Sequence, residues 1–137
     1  MELPEKYNSK IAELQKAVKG FSEAMKIDLF SFTEIISDIV KNGQIQKFEY
    51  CSELLWKTTK VLLSEKHGII IASPKSIYRE LFKNNYINEQ QFEKLIRLVD
   101  DRNILSHIYN ENYFEEVYKR LPQHLELMKI VLEKITE

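Results

Sequence analysis

The stretch from Gln44 to Lys66 reads QIQKFEYCSELLWKTTKVLLSEK, and its apolar residues recur at helical spacing. Ile45, Phe48, Ser52, Leu55, Thr59 and Leu62 form one stripe, which Trp56 and Leu63 widen. No glycine or proline interrupts it. A long helix with so broad an apolar side gains its stability from neighbours packed against that side, so the stretch predicts a helical bundle.

The flanking sequence supplies those neighbours. Towards the N-terminus, Tyr7, Ile11, Leu14, Val18 and Phe21 predict a helix over residues 5–20, with Gly20 near its end. Thr33 is a plausible cap for a second helical stretch carrying Ile35, Ile36, Ile39 and Val40, and Asn42-Gly43 signals a turn or kink before residue 44. Towards the C-terminus, residues 67–72 read as a packed loop, since a lone strand there has no evident partner. Ser73-Pro74 starts a short helix to about Lys83 through a capping hydroxyl and a proline at the first helical position. Asn88-x-x-Gln91 resembles a capping box and opens a helix through Phe92, Leu95, Ile96, Leu98, Val99, Ile104 and Leu105. Asn110 can cap a last helix from 111 to about 135, which Pro122 should kink. The expected fold is all-α, an antiparallel bundle of about five helices in a single domain over residues 1–137.

Composition agrees: 44% hydrophobic and 30% charged residues suit a folded soluble chain, and only 3 Gly and 3 Pro argue against a turn-dense β fold. The net charge of −1 advertises no overall basic field for nucleic acid. Residues 41–83 nevertheless carry 8 Lys/Arg against 4 Asp/Glu, a local excess that a solvated helix face explains equally well. Cys51 is the only cysteine, which excludes an intramolecular disulfide and suits a cytoplasmic setting; a small buried thiol is its expected role. The N-terminus lacks a signal-peptide pattern, and no apolar run approaches the ~20 residues of a membrane span.

Familiar catalytic and cofactor patterns are missing: no Gly-rich phosphate loop, no Gly-x-Ser-x-Gly, no Cys-x-x-Cys. His67, His107 and His124 show no ligand spacing, so neither a metal nor a cofactor is expected. Glu53 precedes Lys57 in the order favoured for a surface ion pair. What remains is Asp100-Asp101-Arg102-Asn103-Ile104-Leu105-Ser106-His107-Ile108-Tyr109. At ~100° per residue Arg102 and His107 lie about 140° apart, while Asn103 and His107 share a face. With Asn110 as the next cap, the chain leaves the helix near His107, so Arg and His can converge on one cleft, or face the same residues of a second subunit. A His moves protons near neutral pH and an Arg clamps phosphate, which together suit metal-free cleavage of an RNA phosphodiester. The ordinary alternative is an Arg favoured by the helix C-terminal dipole and a His bonded to a carbonyl.

Three blocks in order resemble one family: Phe48-Glu49-Tyr50 through Glu53-Leu54-Leu55-Trp56-Lys57-Thr58, Ser73-Pro74-Lys75-Ser76-Ile77-Tyr78-Arg79-Glu80, and Asp101-Arg102-Asn103 to His107-Ile108-Tyr109-Asn110. The chain resembles the HEPN proteins of the nucleotidyltransferase substrate-binding kind, which are encoded beside a minimal nucleotidyltransferase. The resemblance implies a homodimer whose two Arg-x4-His motifs line a shared cleft. It also implies an RNA-cutting toxin in which Arg102 and His107 are catalytic and Asn103 is a polar helper. The partner nucleotidyltransferase would be the antitoxin, attaching AMP to Tyr109. Relatives resemble a continuous helix where Gly43 falls, so a break there would modify the bundle.

The expectations are therefore a metal-independent endoribonuclease toxin acting on RNA, or alternatively a non-catalytic substrate-binding subunit of a nucleotidyltransferase. A helical module without an active site is the third reading. The apolar width of residues 44–64 and 88–106 and the resemblance together motivate dimerisation, although a stripe with Trp56 and flanking leucines is more often simple core. Arg102 and His107 are expected to be solvent-accessible.

Overall fold

The computed structural model describes residues 5–107, without the His107 side chain, and residues 111–137. Five helices account for the architecture: α1 (Glu5–Met25), α2 (Glu34–His67), α3 (Pro74–Lys83), α4 (Glu89–His107) and α5 (Glu111–Thr136). There is no strand among the described residues. The helix α2 is central and packs against all four others, while α5 closes the bundle against α1, α2 and α4.

The predicted stripes are the core. Tyr7, Ile11, Leu14, Val18 and Phe21 of α1 are buried against Ile45, Phe48, Leu55 and Leu62 of α2, and against Val117, Leu121 and Met128 of α5. Each fully buried Leu, Ile or Phe stabilises the fold by about 1.5–3 kcal/mol. Two polar bridges fix how the helices meet. The Tyr7 hydroxyl donates to the Ile135 carbonyl, joining the start of α1 to the end of α5. Buried Gln44 donates to the Ala24 carbonyl at 2.9 Å and accepts from the Tyr118 hydroxyl at 2.6 Å, linking α1, α2 and α5.

The helix ends mostly follow their sequence signals. The Thr33 hydroxyl accepts from Ile36 N–H, and Asn88 and Gln91 bond reciprocally as a capping box. Gly68 ends α2 in the left-handed conformation at φ 66°, with Ile69 N–H returning to the Leu63 carbonyl. Residues 68–73 form the expected loop. Ser73 occupies the cap position of α3, but its side chain makes no capping bond, so Pro74 alone carries that signal. The helix α1 runs past Gly20, and α5 is continuous through Pro122.

The expected break at Asn42-Gly43 is absent, because α2 continues through both residues. The Asn42 amide donates to the Asp38 carbonyl one turn back, which satisfies it within the helix. Gly43 is exposed, and an added Cβ would meet nothing within 4 Å. Gly43→Ala is therefore expected to stabilise the chain by about 0.5–1 kcal/mol, read as a higher urea midpoint at unchanged slope.

The apolar width of residues 44–64 and 88–106 covers the core of the chain itself, with Leu54, Leu55, Leu95 and Leu98 buried. The large exposed apolar side chains gather elsewhere, chiefly between Ile27 and Ile39.

Candidate functional site

Near its C-terminal end α4 sends three consecutive side chains to three different helices. Asp100 pairs with Lys75 of α3 at 2.6 Å. Asp101 reaches Arg120 and His124 of α5, and Arg102 reaches Glu53 of α2. Successive residues on a helix point ~100° apart, so a helix surrounded on three sides can be held by three neighbours in sequence.

The middle contact is the tightest. Asp101 is buried, and its carboxylate accepts two bonds of 2.8 Å from the Arg120 guanidinium and one of 2.7 Å from His124 Nε2. The His124 ring also stacks on Phe48, with centroids 5.2 Å apart. Burial works against the charged carboxylate, but the hydrogen bonds from His124 and Arg120 and their positive charge outweigh it. They hold the Asp101 pKa down at about 2. Through this cluster the last turns of α4 are bolted to the middle of α5.

Arg102 is the neighbouring cation. Its side chain is 27% exposed, and its guanidinium lies 3.4 Å from Glu53 Oε1. It also donates to the Ser106 hydroxyl one turn on, whereas its Nε is buried without a hydrogen-bond partner among the described residues. Glu53 in turn receives the Trp56 indole N–H at 3.2 Å and lies 3.5 Å from Lys57. Arg102 is thus partly accessible, with the rest of its side chain held by Glu53 and Ser106.

Asn103 is exposed and lines a groove between α4 and α5, together with Arg97, Ile104, Tyr113 and Glu116. Arg102 and Asn103 therefore address different flanks of α4. The helix α4 is described to His107 and α5 from Glu111, and the expected exit from the helix falls between them, outside the described residues. The His107 side chain, Tyr109 and the Asn110 cap lie outside the described residues.

Sequence reasoning missed the Asp101–Arg120–His124 cluster and the second partner of Glu53. One signal was present: His124 sits on the apolar stripe of Val117, Leu121 and Met128, where a buried imidazole needs a polar partner. Cys51 is buried as expected, and burial pushes its thiol up to about 12, leaving it inert at neutral pH.

The family model described as nucleotidyltransferase substrate binding protein like matches residues 5–137. Among solved structures, a Thermus thermophilus protein is 28% identical with a TM-score of 0.79, over 90% of this chain and 99% of that one. A tri-AMPylated Shewanella oneidensis HEPN toxin, solved in complex with its MNT antitoxin, is 20% identical with a TM-score of 0.76 over 98% of each chain; the likeness is one of fold. A Haemophilus influenzae protein with the fold of a nucleotidyltransferase substrate binding domain is 25% identical with a TM-score of 0.66, over 96% of this chain and 97% of that one. No functionally curated protein matches the chain.

Proposed function

Because the chain belongs to the nucleotidyltransferase substrate binding protein like family, we propose that it is the HEPN toxin of a toxin–antitoxin pair, a metal-independent endoribonuclease that works as a homodimer. The observation that carries the reading is Arg102. It is a guanidinium held near the end of α4, with an Nε that has no partner among the described residues and one exposed flank, five residues before His107.

In this reading Arg102 binds the scissile phosphate and offsets the charge that builds on it in the transition state. The His107 of one subunit takes the proton of the ribose 2′-hydroxyl, whose oxygen attacks phosphorus. The bond to the 5′-oxygen breaks, and the His107 of the second subunit protonates that oxygen. Asn103 donates a further hydrogen bond. The antitoxin is a minimal nucleotidyltransferase, which binds the toxin and transfers AMP to Tyr109. A bulky anion there fills the phosphate site and repels incoming RNA.

The second reading is a non-catalytic substrate-binding subunit, favoured by the family description and by the likeness to the Haemophilus protein. One experiment separates the two. The purified chain should cut single-stranded RNA in the presence of EDTA, and His107→Ala should lower the rate by about 100-fold or more. Absence of cleavage by the parent protein favours the substrate-binding reading. Incubation with the nucleotidyltransferase and ATP should add AMP to Tyr109, visible by intact mass and lost in Tyr109→Phe.

A further inference from the structure

From the loop after α1 into the first turns of α2, six large apolar side chains lie open: Ile27, Phe30, Phe32, Ile35, Ile36 and Ile39. Phe30 is 96% exposed and Ile35 is 69% exposed. Together they present on the order of 600 Å² of apolar surface, counting about 200 Å² for a fully exposed aromatic side chain. The largest such patch on a typical monomer is about 300–600 Å², and an ordinary interface takes about 800 Å² from each partner.

The patch is built rather than loose. Phe30 N–H donates to the Asp28 carboxylate at 3.0 Å, and Phe32 N–H returns to the Leu29 carbonyl. The Ser37 hydroxyl of α2 donates to that same carbonyl at 3.4 Å, which ties the loop to the helix. A surface ordered in advance loses little freedom when a partner covers it.

Charge identifies the occupant. Between Ile27 and Ile39 stand Asp28, Glu34 and Asp38, and no Lys or Arg. The patch continues past Asp38 into a groove of about 540 Å³ formed by α2, the last turns of α4 and the first turn of α5. Its charged lining is Asp38, Glu49, Glu111 and Glu115, against the single Lys41, which already pairs with Glu115 at 3.8 Å. A second copy seated on the 27–39 patch about a two-fold axis would set one acidic rim against another, and RNA laid on that patch would meet repulsion. A different protein, with an apolar face edged by Lys and Arg, meets neither obstacle.

We infer that the 27–39 surface is the docking platform for the nucleotidyltransferase partner, which must present an apolar face with a basic edge. The inference rests on the toxin–antitoxin reading and adds the place of contact. The groove is walled by Ile104 and Leu105 before residue 108 and by Glu111 and Tyr113 after residue 110. An enzyme seated on the platform therefore stands beside Leu105 and Glu111, which are four and two residues from Tyr109 in sequence.

The test is calorimetric titration of the full chain with the minimal nucleotidyltransferase from the same genome. The double variant Phe30→Ser/Ile35→Glu should bind at least about 100-fold more weakly and lose AMP addition. Ile70→Glu, at another exposed apolar side chain, should bind like the parent. Both changed positions of the double variant are exposed, and an unchanged circular dichroism melt would show that the fold is kept. Glu34→Lys/Asp38→Lys should slow association and reverse its dependence on salt. Binding by the double variant at parental affinity overturns the assigned surface and leaves the toxin reading intact. No binding by the parent removes both the platform and the antitoxin. A double variant that splits a parental dimer yet still binds the nucleotidyltransferase assigns the surface to a second copy and overturns the inference.

Discussion

Asp101→Ala is expected to destabilise the chain by about 3 kcal/mol, the lower end of the ~3–5 kcal/mol seen when one partner of a buried ion pair is removed. Two groups lose their acceptor at once, Arg120 and the buried His124. The Arg120 side chain keeps 21% exposure, and partial hydration of its charge moderates the loss. Urea unfolding followed by circular dichroism measures it, and a change below about 1 kcal/mol would mean that the cluster contributes little. The same carboxylate sets an acid limit. Its pKa is about 2 when folded and 3.8 when unperturbed, so the unfolded chain binds the proton more tightly. The stabilisation is complete above about pH 5, falls as pH drops through 3.8 towards 2, and amounts to about 2 kcal/mol. Asp101→Asn should remove this step from the pH–stability curve.

Arg102→Ala is expected to lower RNA cleavage by about 100- to 1000-fold, the usual effect of deleting one group that stabilises transition-state charge. Stability should change far less than in Asp101→Ala, because Arg102 is partly exposed and Glu53 keeps Trp56 and Lys57 as partners. Glu53→Gln offers the converse. The carboxylate competes with phosphate for the guanidinium, so its neutralisation should tighten RNA binding several-fold without loss of cleavage. A fall in cleavage as large as that of Arg102→Ala would instead make Glu53 part of the reaction, and equal cleavage by Arg102→Ala and the parent would end the phosphate-clamp role.

The sequence stripes anticipated the bundle because burial follows periodicity: every apolar residue of the 5–21 stripe is in the core. Local hydrogen-bond chemistry was legible wherever the side chain could meet only one backbone group, as at Thr33 and Asn88. Asn42-Gly43 misled because a turn signal describes local preference, and a helix packed along most of its length overrides about 1 kcal/mol of it. The candidate site was half legible. Arg102 stood out by spacing, but its partner on α2 and the anchoring of its neighbour on α5 join residues 49 and 19 positions away. Such pairs follow from helix packing, and no local pattern announces them. The exposed patch was hidden for the opposite reason. Ile35 and Ile39 have the spacing of core residues, and only the assembled bundle shows that nothing covers them.

The three-way attachment of α4 also has a meaning in time. A chain emerges from the ribosome N-terminus first, at about 5–20 residues per second. Lys75 and Glu53 precede Asp100 and Arg102 in that order, so two of the three attachments can form as soon as α4 appears. Arg120 and His124 follow later, on the last helix to be made. Until they arrive Asp101 has no cation from α5, and the stripe of α1 lacks the wall that α5 supplies. The turn carrying Asp101 therefore gains the last of the three attachments of α4 only when α5 has been made.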